Sequence, residues 1–309
     1  MKSISKIVLM ATITFGTVGI LYYFDQVFEE FNFNYKETTT FVDSLGREVE
    51  VPNHPERIIS MAPAITETMF ALDAQDRLVG VTDYCDYPED AKDITSIGSF
   101  TSPNLEIVVG LEPDLVISTR EDTEVIEYLE NYEIPIVVLF ADDLEDAIER
   151  IEDVGDLADI EEIAEDLCSV MITEMNWVSS KVSTLTENQK LRCYFEVWST
   201  PKVAGKYSFL HDMMTKAGGI NIFGDIRDDW ASVSHESVIS ENPEVIFVTA
   251  MGRSNYEVDI SDRPGYQNID AVKNDRIYEC DDNKFTRAGP RIIDALEDMA
   301  QYLHPTLFQ

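Results

Sequence analysis

Basic residues are scarce in this chain: 23 Lys and Arg stand against 59 Asp and Glu in 309 residues, a formal net charge of -36. A field of that sign repels phosphate backbones and anionic headgroups, which excludes nucleic acid as a partner. An anionic ligand would need a local basic pocket drawn from few side chains. The acidity itself reads as a solvated surface suited to a salty medium, where screening relieves self-repulsion within roughly 3 Å at 1 M salt. Cysteine is nearly as sparse. Cys85, Cys168, Cys193 and Cys280 form no CxxC pair, and His54, His211, His235 and His304 are equally scattered. No transition-metal spacing results, and free, partly buried thiols are expected. Glycine-rich phosphate loops are missing. Ser60 ends a strand-like run without a Gly-x-Ser-x-Gly elbow. Carboxylates are so common that no pair stands out as an acid–base couple. The chain is therefore read as a binding protein rather than an enzyme; a surface enzyme would need a nucleophile–base pair that the sequence does not offer.

What is present begins at the N-terminus. Lys2 and Lys6 precede an uncharged apolar run from Ile7 to Phe24, followed by Asp25, Glu29 and Glu30. A positive flank and roughly 18 apolar residues describe a signal anchor or a signal peptide, with Tyr22, Tyr23 and Phe24 at the interface. Residues 1–35 are assigned to this segment and its tether, which puts the rest of the chain outside the cytoplasm, at the cell surface if anchored or free if cleaved. The 44% hydrophobic share is that of a globular protein. A hairpin around Leu45-Gly46 opens the folded part. Short apolar runs at Ile58-Ile59, Leu78–Val81, Leu115–Ile117 and Ile136–Phe140 then alternate with helical spacings, the grammar of a parallel sheet. Leu144–Ala158 is amphipathic. Asp159 is placed to cap a long helix, with Glu162 as its partner, running some 26 residues without Pro or Gly. Beyond it the alternation restarts: strands at Leu191–Trp198, Val245–Thr249 and Arg276–Glu279, helices at Phe209–Ala217, Val233–Ser240 and Pro290–Leu303. The expected fold is α/β: an N-terminal lobe over 36–158, a bridging helix over 159–186 and a C-terminal lobe over 187–309. Two Rossmann-like lobes on a single stiff strut would leave a ligand cleft between them.

Ligands of open α/β sheets bind beyond the carboxyl ends of the strands. There the chain places Pro63 and Ala64, then Tyr84, Tyr87, Phe100, Trp198, Trp230 and Phe285. Aromatic walls suit a large, partly apolar ligand.

The Asp-x-x-Gly-Arg-x-Val-x-Val-Pro opening, Arg57-Ile-Ile-Ser-x-x-Pro…Thr66-Glu67, and Leu111-Glu-Pro-Asp-Leu-Val-Ile117 together resemble the substrate-binding proteins of ABC importers for corrinoids, ferric siderophores and haem. Gly218-Gly-Ile-Asn-Ile-Phe223, Val233-Ser-x-Glu236 and Asn242-Pro-Glu-Val-Ile246 extend the likeness from Phe41 to the C-terminus. The chain is most similar to the cobalamin-binding members, whose Tyr-x-Asp-Tyr-Pro loop aligns with Tyr84–Pro88. By that resemblance Tyr84 faces a corrin, Phe100 stands for a cleft Trp, Trp230 is a retained cleft Trp and Arg287 is a cleft arginine. Another cleft Trp of that class is Thr119 here, and an Asp of the last loop is Asn283, so haem and ferric siderophores remain alternative ligands. The resemblance implies no resident cofactor, any metal arriving inside the ligand chelate. It also implies that Glu106 and Glu236, one on each lobe, meet arginines of the membrane permease, where carboxylate–Arg pairing supplies attraction and orientation. A monomer is expected.

Overall fold

The computed structural model describes residues 37–198, 201–249 and 259–309. The apolar N-terminal segment, 1–35, lies outside the described residues. Among those described, no helix is long and apolar enough to cross a membrane.

β1 (Thr38–Val42) and β2 (Glu48–Pro52) pair as a two-stranded sheet. Asp43 holds the turn by accepting from the Leu45 and Arg47 amides at 3.0 Å, while Gly46 takes a φ of 72° that suits glycine. Then follow β3 (Ile58–Ser60), α1 (Pro63–Ala71), β4 (Leu78–Val81), the two-residue ribbon β5 (Gly98–Ser99) and β6 (Ser102–Pro103), α2 (Leu105–Gly110), β7 (Leu115–Ser118), α3 (Thr123–Glu130) and β8 (Ile136–Val138). The four longer strands β3, β4, β7 and β8 form one parallel sheet in the order β4-β3-β7-β8. Their residues are buried on both faces and alternate between two apolar clusters. Ile58, Leu115, Ile117 and Val137 face one, and Ile59, Val116, Ile136 and Val138 face the other. That is why these strands read as continuous apolar runs.

α4 (Leu144–Leu157) and α5 (Glu161–Val182) follow. At 22 residues, α5 is about 33 Å long. Its first turns pack through Ala164 on the N-terminal core, and Cys168, Met171, Met175, Val178 and Val182 pack on the C-terminal core. α4 runs alongside and is shared in the same way: Leu144, Ala147, Ile148 and Ile151 belong to the C-terminal core, Val154 and Leu157 to the N-terminal one. The chain thus leaves β8, crosses to the second lobe, returns along α4 and crosses again along α5. Gly155 allows the two helices to close up, since a Cβ there would meet that of Ala164 at 2.3 Å. Asp159 does not cap α5. It turns the chain with a φ of 54° and pairs with His54, leaving Ile160 at the cap position without a side-chain bond.

The second lobe comprises β9 (Leu191–Glu196), β10 (Lys202–Ala204), α6 (Phe209–Lys216), β11 (Gly219–Asn221), β12 (Trp230–Ser232), α7 (His235–Glu241), β13 (Val245–Thr249), α8 (Asp270–Lys273), β14 (Ile277–Cys280), α9 (Asp282–Phe285) and α10 (Ile292–Leu303). Its parallel sheet has the order β11-β9-β13-β14. Counted within each lobe both sheets run 2-1-3-4, so in each the strand order reverses between the first and third strands while all strands stay parallel. Such switch points are where α/β sheets bind ligands.

Candidate functional site

A cleft of about 890 Å³ lies at those strand ends, lined from both lobes. Pro63 and Ala64 reach it because the chain turns out of β3 into α1 with proline in the first turn. Leu139 to Asp142 and the Arg150–Ile151 face of α4 also line it, so the interlobe crossing forms part of its wall.

Five of the nine cleft residues named from the sequence line this space: Pro63, Ala64, Phe100, Trp230 and Arg287. Trp230 belongs to a strand rather than a loop. It pairs with Ala204 in the antiparallel ribbon β10–β12, and Phe209 braces it edge-on with ring centroids 6.2 Å apart. Four are placed elsewhere. Phe285 is 2% exposed and packs in the core beside Phe195, because α9 turns it inward. Tyr84, Tyr87 and Trp198 are exposed but do not line the cleft. The Tyr84–Tyr87 loop instead takes part in a polar clasp between the lobes.

Glu67 on α1 is the centre of that clasp, with its side chain 3% exposed. It accepts from Arg287 at 2.8 Å and from Arg291 at 2.8 and 2.9 Å. The remaining Arg287 donors reach the Tyr84 carbonyl at 2.9 Å and Asp86 at 2.8 Å, and the Arg291 guanidinium sits 3.8 Å over the Tyr87 ring. Burial opposes the Asp86 charge, yet Arg287 holds that carboxyl below its ordinary range. Burial likewise opposes the Arg291 charge, and Glu67 more than offsets it. Arg287 therefore meets the cleft with much of its donor capacity already used. Gly289 shows how close the lobes come, for a Cβ there would lie 3.2 Å from the Ala64 carbonyl oxygen. At the start of α4, the Leu144 amide donates to Asp212 at 3.0 Å and Lys216 pairs with Glu145 at 2.8 Å.

Residues that sequence reasoning missed are Phe140, Arg120, Lys202 and Tyr207, all lining the cleft. Phe140 and Arg120 follow β8 and β7, and Tyr207 follows β10. The strand-end rule that selected Phe100 applies to them equally. Arg120 lies 5.3 Å over the Phe100 ring and donates to the Phe100 carbonyl at 3.0 Å. Asp142 and Asp229 give the cleft an acidic side. Burial, then the neighbouring Asp146 and Asp229 charges, push the Asp142 carboxyl up.

Glu106 and Glu236 lie outside the cleft and are exposed. Each is the second residue of a short helix, α2 or α7, that precedes the third sheet strand of its lobe. Asn104 caps one helix and Ser234 the other, through side-chain oxygens that accept from the first-turn amides. The chain thus presents one carboxylate from equivalent positions in both lobes. Hydrogen bonds from its own backbone amide and from Ser234 hold the Glu236 carboxyl below its ordinary range. All four cysteines are buried thiols.

Residues 58–284 match the family model described as periplasmic binding protein. An ABC transporter substrate-binding lipoprotein of Bacillus subtilis, YvrC, is 27% identical over 277 residues, 87% of either chain. A vitamin B12-binding protein of Vibrio campbellii is 28% identical over 251 residues, 80% of this chain and 89% of that one. Among solved structures, the periplasmic haem-binding protein RhuT of Roseiflexus superposes with a TM-score of 0.73 at 26% identity, covering 82% of this chain and 99% of that one. The chain belongs to the periplasmic binding protein family.

Proposed function

From membership of that family, we propose that this chain is the extracytoplasmic solute receptor of an ABC importer, taking a corrinoid into the interlobe cleft and delivering it to the permease. The observation that carries this reading is the cleft of about 890 Å³ with Phe100 on one lobe and Trp230 on the other. That volume suits a bulky ligand, and aromatic side chains each bury roughly 150–250 Å². The similarity to vitamin B12-binding proteins favours a corrinoid. Haem is the second reading, supported by the likeness to a haem-binding structure, and a ferric siderophore is the third. In all three the metal is cargo, and no bond is made or broken.

Delivery rests on Glu106 and Glu236. Two exposed carboxylates at matching positions suit a two-fold partner bearing arginines.

Full-chain protein titrated with cyanocobalamin, haem or a ferric siderophore tests the ligand by visible absorption and quenching of tryptophan fluorescence. Phe100→Ala and Trp230→Ala are each expected to weaken the bound ligand by about 1–3 kcal/mol, roughly 5- to 150-fold. Glu106→Ala with Glu236→Ala should leave that affinity intact and abolish uptake. Uptake that survives the double replacement defeats the docking assignment.

A further inference from the structure

We propose that the cleft ligand carries an acidic oxyanion group, a carboxylate or a phosphate ester, and that Arg120 and Lys202 receive it. This rests on the solute-binding reading above and specifies the chemistry of its ligand.

Four cations line the cleft: Arg120, Arg150, Lys202 and Arg287. Two are committed within the protein. Arg287 pairs with Glu67 and Asp86, and Arg150 with Glu149 and Asp153. Arg120 and Lys202 make no ion pair with any described carboxylate. In a chain with 59 acidic and 23 basic residues, a cation has ample chance to find an acidic partner. Two that face a shared cleft without one are placed for a charge brought from outside.

Their mounting supports this. The Arg120 guanidinium is fixed by the Phe100 carbonyl, 3.0 Å away, and by the Phe100 ring beneath it. One of its five N–H groups is thereby used, and the planar fork keeps donors for an oxyanion. Lys202 pairs with Ser232, and Ala204 with Trp230. Side chains alternate along a strand, so Lys202 and Trp230 share one face of the ribbon as diagonal neighbours. Each lobe therefore offers the same combination, an aromatic wall with a cation at its edge. A bulky apolar ring system with acidic groups on its rim fits that combination. The acids at Asp142 and Asp229 repel a negative group, which orients the ligand's acidic rim toward Arg120 and Lys202. Glu121 also lines the cleft, but it is exposed and makes no ion pair with Arg120.

The test uses two pairs of probes on the full chain: ferric protoporphyrin against its dimethyl ester, and cyanocobalamin against dicyanocobinamide. The latter lacks the phosphodiester together with its ribose and benzimidazole, so only a preference lost in the double variant of Arg120 and Lys202 counts. Charge-assisted hydrogen bonds contribute about 1.5–3 kcal/mol, so the oxyanion-bearing member of at least one pair should bind roughly 10- to 100-fold more tightly. Arg120→Gln combined with Lys202→Gln should bring the affinity ratio within that pair close to one, with the melting temperature confirming that the variant folds. A response in the porphyrin pair identifies carboxylates as the recognised group, and one in the cobalamin pair identifies the phosphate. Equal affinity within both pairs, or a preference that persists in the double variant, overturns this inference alone. Failure of both acids to bind the unaltered protein overturns it together with the corrinoid and haem readings.

Discussion

Arg287 of the C-terminal lobe donates to Glu67 of the N-terminal lobe at 2.8 Å, between side chains only 11% and 3% exposed. An arginine expected to serve the ligand is thus held first by the opposite lobe. Arg291 shares the same carboxylate, so one buried acid holds two cations across the interface. Glu67→Ala leaves Arg291 without a carboxylate and Arg287 with Asp86 alone, a loss of about 3 kcal/mol by analogy with other broken buried pairs. At roughly 2–4 °C per kcal/mol for a domain of this size, the melting temperature should fall by about 6–12 °C. An unchanged melting curve would show that the clasp contributes nothing to stability.

Asp153 sets an expected pH dependence. Burial raises its carboxyl pKa to about 6, and the nearby Glu149, Asp156 and Glu152 charges add to the rise against the pull of Arg150. The Arg150 Nε lies 3.0 Å from Asp153 Oδ2, but the two are misaligned for a hydrogen bond. A carboxyl whose folded pKa exceeds its unfolded value of 3.8 binds its proton more tightly in the native state. Its contribution is complete below the unfolded pKa and is lost as pH rises through the folded one. Lowering the pH from 7 toward 4.5 should therefore stabilise the unaltered protein relative to Asp153→Asn at ~1 kcal/mol scale. Melting temperatures of both proteins across that window check this; parallel curves refute it.

The thiols should be silent while the protein is folded. Burial pushes Cys168 and Cys193 up to about 12 and raises Cys85 and Cys280 as well. The thiolate is the reactive form, so neither the charge nor the access for reaction is present. An aromatic disulfide reagent should titrate no thiol in the native protein and all four in guanidinium chloride. Rapid native labelling of any of them contradicts the structure.

Salt should stabilise the fold. With a formal net charge of -36, self-repulsion opposes the compact state, and it is screened when the Debye length contracts from about 10 Å at 0.1 M to about 3 Å at 1 M. The melting temperature is expected to rise between these concentrations of potassium chloride. A flat response would mean that surface repulsion costs the native state little.

Sequence reading reached the sheets because strands buried on both faces write their pattern locally. Ile58-Ile59 and Leu115–Ile117 are apolar at every position, and no distant partner is needed to recognise them. It singled out Glu106 and Glu236 through motif context, and the N-cap residues Asn104 and Ser234, which set the helix starts that carry them, are local signals as well. It assigned too much to aromatics at strand ends. Whether such a ring turns toward solvent or inward depends on what packs against it, and Phe195, far earlier in the chain, lies against the buried Phe285.

By itself, then, the sequence determined two α/β halves joined through a long helix, a strongly acidic surface and a candidate carboxylate on each half. Those properties reside in periodicity, composition and short motifs. Only the tertiary structure decided that α4 also crosses between the halves, that Arg287 and Arg291 converge on Glu67 from 220 and 224 residues away, and that Arg120 and Lys202 face the cleft without an acidic partner. Contacts over such separations arise when packed sheets and helices bring distant turns together, and no local pattern of side chains records them.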